Sequence, residues 1–144
     1  MFSKSCEYAL QAVIYIALFG KKGKNVGLKA IAESQDIPLH FLSKILQLLV
    51  RNDILVSIKG PNGGFALKRN PNKLYLKEIV EITDGPAIFD RCGIGLKQCS
   101  DESPCPVHFE FKIVKDKIRS LLETKSVRDL IEDIEAGNSI VAFR

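Results

Sequence analysis

The sequence predicts a mainly α-helical chain carrying one small β-hairpin, and three observations predict it. Apolar residues recur at three- and four-residue steps in six separate stretches, the spacing of amphipathic helices. A single glycine-rich turn, GPNGG at 60–64, lies between two short apolar and β-branched segments, as in a hairpin. A third kind of segment, RCGIGLKQCSDESPCPVH at 91–108, follows neither period and holds three of the four cysteines. At 144 residues the chain is long enough for one domain with a sizeable core plus an oligomerisation element. The expected organisation is residues 1–85, 86–107 and 108–144.

In SCEYALQAVIYIALF, Leu10, Val13, Ile14, Ala17 and Leu18 form one helical stripe. Its apolar run, Ala9 to Phe19, is interrupted by Gln11 and is too short to span a bilayer. A secretory leader is also a poor reading: Glu7 intrudes, and Lys21, Lys22 and Lys24 stand where a small-residue cleavage site would be. A cytoplasmic chain with no membrane partner is therefore expected. LKAIAESQ follows, with Leu28, Ile31 and Ala32 on one face, and then a break at Asp36, Ile37 and Pro38, the proline suiting the first turn of a new helix.

From Pro38 to Asn52 the apolar set is Phe41, Leu42, Ile45, Leu46, Leu48 and Leu49. His40, Ser43, Lys44, Gln47 and Arg51 take the other face. Two helices joined by a short turn, the second with a polar and basic outer face, form a helix-turn-helix pattern. The hairpin comes next, with Lys59 on its rising strand, Asn62 and Gly63 at its tip, and Lys68 and Arg69 on its falling strand. Such a tip lets backbone approach phosphates or a minor groove. Three helices and this hairpin make a winged helix-turn-helix. A dinucleotide-binding glycine loop is excluded because no helix follows the turn.

Tyr75 to Thr83 forms a short amphipathic helix ended by Asp84, Gly85 and Pro86. After the cysteine-rich segment, Phe111, Val114, Ile118 and Leu121 follow alternating three- and four-residue steps, the pattern of a long C-terminal dimerisation helix. A final helix, Val127 to Glu135, is expected to fold back through Leu130, Ile131 and Ile134. Charge divides unevenly along the chain. Residues 1–75 hold eleven Lys and Arg against four Asp and Glu, and the remainder ten against thirteen. The basic front half suits a polyanionic partner, double-stranded DNA above all.

Cys92, Cys99, Cys105 and His108 have the spacing C-x6-C-x5-C-x2-H. Thiolates and imidazole are soft ligands that select zinc, copper(I) or iron–sulfur clusters. In a reducing compartment such a group favours metal binding or redox sensing over structural disulfides. Three readings stay open: an iron–sulfur centre, a structural zinc on Cys3His, and a metal-free thiol/disulfide switch. Catalysis is not expected, since there is no C-x-x-C and neither histidine has an evident nucleophile to activate.

Taken together, Glu7-Tyr8-Ala9-Leu10, IPLHFLSKILQLL from Ile37, KGPNGGFALKR from Lys59, LKEIVEITDG and the cysteine segment resemble the Rrf-two family of bacterial winged-helix transcription regulators. The resemblance extends to its IscR- and NsrR-like, cluster-bearing branches. It implies a homodimeric repressor that reads a partly palindromic operator, with the third helix in the major groove and the wing at the minor groove. It also implies a cluster, [2Fe–2S] by preference or [4Fe–4S], that responds to redox state, nitric oxide or iron–sulfur supply. The three cysteines would be ligands, and the fourth would be either His108 or Glu7 on helix one of the partner subunit. One departure is Lys59, where the family usually opens its wing with arginine. The two side chains fit a narrow, electronegative groove differently.

Overall fold

The computed structural model describes residues 1–21 and 23–142. Its helices are α1 (Lys4–Phe19), α2 (Leu28–Gln35), α3 (Leu39–Arg51), α4 (Leu76–Asp84), α5 (His108–Thr124) and α6 (Val127–Glu135). The hairpin is β1 (Leu55–Ile58) and β2 (Gly64–Leu67). These elements follow the apolar periodicity of the sequence to within a residue or two at their ends.

α1 is the central helix. Its Ala9, Ala12, Val13 and Ile16 are buried against Ile31 and Ala32 of α2, Leu42, Ile45, Leu46 and Leu49 of α3, and Ile54, Leu55 and Phe65 around the hairpin. α6 does fold back: Val127 and Ile131 enter this same core, with Leu130 and Ile134 half-buried at its margin. Residues 108–144 thus supply part of the core built mainly by residues 1–85. Ser126 caps α6 by accepting from the Asp129 amide at 3.1 Å, and the Asp129 carboxylate accepts in turn from the Ser126 amide at 2.9 Å.

The strands pair antiparallel, Leu55 opposite Leu67 and Ile58 opposite Gly64. A further bridge joins Phe65 to Val26, so the connector between α1 and α2 borders the wing. Both tip glycines are sterically required. A Cβ on Gly63 would lie 2.2 Å from the Ile58 carbonyl oxygen. One on Gly64, whose φ is +145°, would lie 2.5 Å from that of Val26.

A second, smaller core underlies the cysteine segment. Cys6 of α1, Val80 of α4, Phe89 and Leu122 of α5 are buried together, with Ile88 and Ile118 packed against them. Burial pushes the Cys6 thiol pKa up, as befits a small core side chain. Ser3, the N-cap of α1, accepts from the Cys6 amide at 3.1 Å. Its own amide donates to Asp84 at 2.9 Å, and its hydroxyl bonds the same carboxylate. The start of α1 is thereby clasped to the end of α4.

Candidate functional site

α4 ends at Gly85 with φ +87°, a value glycine adopts without strain, and the chain turns through Pro86–Phe89 into the cysteine segment. Three contacts then shape that segment. The Gly95 amide closes a turn onto the Cys92 carbonyl at 3.0 Å, Ser100 and Ser103 exchange backbone bonds at 3.2 Å, and the His108 amide donates to the Cys105 carbonyl at 3.0 Å. Phe111 lies over Gly93, where an added Cβ would be 2.4 Å from the ring. Glycine at 93 therefore lets α5 close over the residue following Cys92.

The outcome is convergence of the three thiols. The Sγ atoms of Cys92, Cys99 and Cys105 lie within 4.8 Å of one another, with Cys92 and Cys105 3.7 Å apart. His108 joins the group at its Cys99 edge, with Nδ1 3.1 Å from that sulfur. The amides of Ile94 and then Leu96, together with the Cys105 and Cys99 thiols, draw the Cys92 thiol down to about 7, against partial desolvation. Cys99 behaves differently. The Cys105 amide pulls its pKa down, but desolvation and the neighbouring Cys105 and Cys92 groups outweigh this and hold it above the ordinary thiol value.

This donor set fits a soft metal or an iron–sulfur cluster. It offers three half-buried sulfurs from one loop, with backbone amides directed at sulfur and the imidazole of His108, at the start of α5, against one of them. Glu7 sits elsewhere on the same chain, on α1, where Lys4 donates to its carboxylate at 3.0 Å.

The segment is bound to α5 by more than its ligands. Lys115 donates to the Arg91 carbonyl at 2.7 Å, and Arg119 bonds Asp90 at 3.0 Å with its guanidinium 5.4 Å from the Phe89 ring centre. Asp101 accepts from His108 Nε2 at 2.7 Å and from Lys112 at 2.5 Å. Asp101, Lys115 and Arg119 escape a reading of residue types, because a charged side chain in a loop or on a helix does not announce which group it will bond.

The second cluster of expected site residues lies on α3 and the hairpin. His40, Lys44, Gln47 and Arg51 are exposed along one side of α3, and Ser43 is half-buried beside them. Lys59 and Asn62 are exposed at the wing tip, where the Asn62 carbonyl accepts from the Asn25 side chain at 3.0 Å. Lys68 and Arg69 are engaged within the chain. Lys68 bonds Asp53 at 2.6 Å, and Arg69 spans both oxygens of Glu78 at 2.7 and 3.2 Å while donating to the Lys73 carbonyl.

On α5, Phe111 and Ile118 turn toward their own chain. Val114 and Leu121 are exposed in a stripe with Phe109 and Ile113. Among the described residues no helix is long and apolar enough to cross a membrane.

Residues 2–133 match the model of the Rrf2 family, described as an iron-dependent transcriptional regulator. The chain is 32% identical to a protein of Aquifex aeolicus described as a candidate HTH-type transcriptional regulator, over 91% of each chain. It is 29% identical to the HTH-type transcriptional regulator IscR of Xenorhabdus nematophila, covering 89% of this chain and 77% of that one. Among solved structures it resembles CymR, the global cysteine regulator of B. subtilis, with a TM-score of 0.75 and 22% identity over 92% and 96% of the two chains. It also resembles T. potens IscR, with a TM-score of 0.72 and 23% identity over 98% and 93%. At such identities the structural likeness speaks for the fold, which among the described residues has six α-helices and a two-stranded wing. Because the family match spans nearly the whole chain, winged helix and cysteine segment together, the chain belongs to the Rrf2 family and is a transcriptional regulator of the Rrf2/IscR type, not an enzyme.

Proposed function

We propose that the protein is a homodimeric, DNA-binding repressor whose operator affinity is set by an iron–sulfur cluster, [2Fe–2S] by preference, on Cys92, Cys99, Cys105 and His108. The observation that carries this reading is the gathering of three sulfurs within 4.8 Å, with the His108 imidazole against one of them. His108 is favoured over Glu7 as fourth ligand because it already adjoins Cys99. When bound, such a cluster supplies a centre that responds to redox state, nitric oxide and iron–sulfur supply.

The chain's own residues supply the coupling. His108 is the first residue of α5, and Lys112, Lys115 and Arg119 bind the segment to the same helix. Rearrangement of the segment therefore moves α5. Its inner face, through Ile118 and Leu122, packs with Cys6 and Val80 against α1 and α4. Its outer stripe of Phe109, Ile113, Val114 and Leu121 supports pairing with a second copy. Two recognition helices must sit about 34 Å apart to enter successive major grooves, so a small change in how two α5 helices cross spoils both contacts. The effect on DNA is bounded by the difference in DNA contacts between the two protein states.

Anaerobically purified protein should contain iron and sulfide, absorb in the visible, and bind its operator with an affinity that changes on cluster loss at matched salt. Equal affinities would overturn the switch. A colourless protein with one zinc per chain would replace it with a structural site.

DNA contact is assigned to the exposed α3 side chains, with His40, Ser43, Lys44 and Gln47 toward the bases and Arg51 toward phosphate, and to the wing. Lys59, Asn62 and Gly63 form the tip. Lys68 and Arg69 are also assigned, though each must share its charge with Asp53 or Glu78. Lys59→Ala should weaken binding across all sequences and lower the salt slope by about one unit. An unchanged slope, measured by titration at several salt concentrations, would remove Lys59 from the interface.

A further inference from the structure

His108 has two ring nitrogens, and the structure gives each a different neighbour. Nδ1 is 3.1 Å from the Cys99 sulfur, and Nε2 is 2.7 Å from Oδ1 of Asp101. Lys112, one helical turn beyond His108, holds the other oxygen of that carboxylate at 2.5 Å. The imidazole is only 13% exposed, and its neighbour Phe109 meets it edge to face at 5.0 Å. Asp101 lies in the Ser100–Ser103 turn, which fixes its backbone.

A neutral imidazole carries one N–H and one lone pair, and an ionised carboxylate can only accept. The Asp101 contact therefore requires the proton on Nε2 and leaves the lone pair on Nδ1, the nitrogen beside the sulfurs. We propose that Asp101 is a positioning residue that selects this tautomer of His108 and aims its Nδ1 lone pair at the metal site, with Lys112 fixing the plane of the carboxylate. The inference rests on His108 being the fourth ligand. It assigns to Asp101 a role outside the ligand set, as partners behind metal-bound histidines commonly have.

The test uses Asp101→Ala, Asp101→Asn and His108→Ala in the full chain. Asp101 is exposed and in a loop, so its two replacements should leave the fold intact. In reduced, cluster-free protein, at a pH where the ring is neutral, nitrogen NMR of His108 should show one Nε2–H tautomer in the wild type. Asp101→Ala should give a mixture, and Asp101→Asn should keep the preference, because the amide oxygen still accepts from Nε2.

In loaded protein, Asp101→Ala should weaken cluster retention by about 10- to 100-fold and raise the reduction potential, since a ligand without its carboxylate is less basic. Asp101→Asn should fall between. An unchanged tautomer, retention and potential in Asp101→Ala, alongside an altered visible spectrum in His108→Ala, would overturn the role of Asp101 alone. A His108→Ala protein that keeps the wild-type spectrum and retention would overturn His108 as a ligand, and this inference with it.

Discussion

Cys105→Ser is expected to leave the protein folded and unable to retain an iron–sulfur cluster. Cys105 adjoins both other sulfurs: its Sγ is 3.7 Å from Cys92, and its amide donates toward Cys99. Serine nearly preserves the volume but replaces a soft thiolate with a hydroxyl that stays protonated near neutrality, a poor ligand for iron or zinc. Loss of a mere supporting partner behind a ligand costs about 10- to 100-fold in metal affinity, and loss of a ligand should exceed that range. The residue is half-buried in a loop outside both cores, so the cluster-free variant should melt within about 0.5 kcal/mol of cluster-free wild type. Iron and sulfide analysis after anaerobic purification gives the readout. Wild-type cluster content in Cys105→Ser would remove this residue from the site and, with it, the ligand set proposed above.

Leu46→Ala is expected to have the largest effect on stability. Leu46 is fully buried on α3, on the side opposite His40, Lys44 and Gln47, and packs in the main core with α1. Removing a buried leucine side chain costs its transfer free energy plus that of the cavity left behind, about 2–5 kcal/mol. Against a typical total of about 5–15 kcal/mol this is a large fraction. Urea titration should show a lower midpoint with an unchanged slope. DNA affinity of the fraction that remains folded should change far less, because the exposed α3 side chains proposed to meet DNA are untouched. A loss below about 1 kcal/mol would mean that the core closes around the gap.

How far the structure could be read from the sequence depends on whether the signal was local. The six helices and the hairpin were legible because apolar period and turn glycines are local properties, and Gly63 and Gly64 occupy positions where any Cβ would strike a carbonyl oxygen. The cysteine group was legible from ligand chemistry, although the contact of Phe111 with Gly93, across eighteen residues, was not.

The orientation of α5 was not legible. Phe111, Val114, Ile118 and Leu121 share a sector of roughly 80° at 100° per residue. That sector straddles the seam between the face packed on the chain's own second core and the face left exposed. Periodicity shows that a helix has an apolar side, and when two adjacent sides are apolar it does not say which neighbour takes each. Charge was legible as a sum and not as pairing. Lys68 and Arg69 raise the basicity of the front half, yet Asp53 and Glu78 balance them through contacts that exist only once the wing has folded back. Asp101 illustrates the same limit, since its importance lies in which nitrogen of His108 it faces.

The grip of Arg69 on Glu78 ties the wing to the first turn of α4. The far end of that helix, at Asp84, leads through one tight turn into the cysteine segment and holds the N-cap of α1. Nine residues of α-helix measure about 13 Å, so the two grips lie close together. The wing, the cysteine segment and the N-cap of α1 are thus joined through one short helix of the same chain.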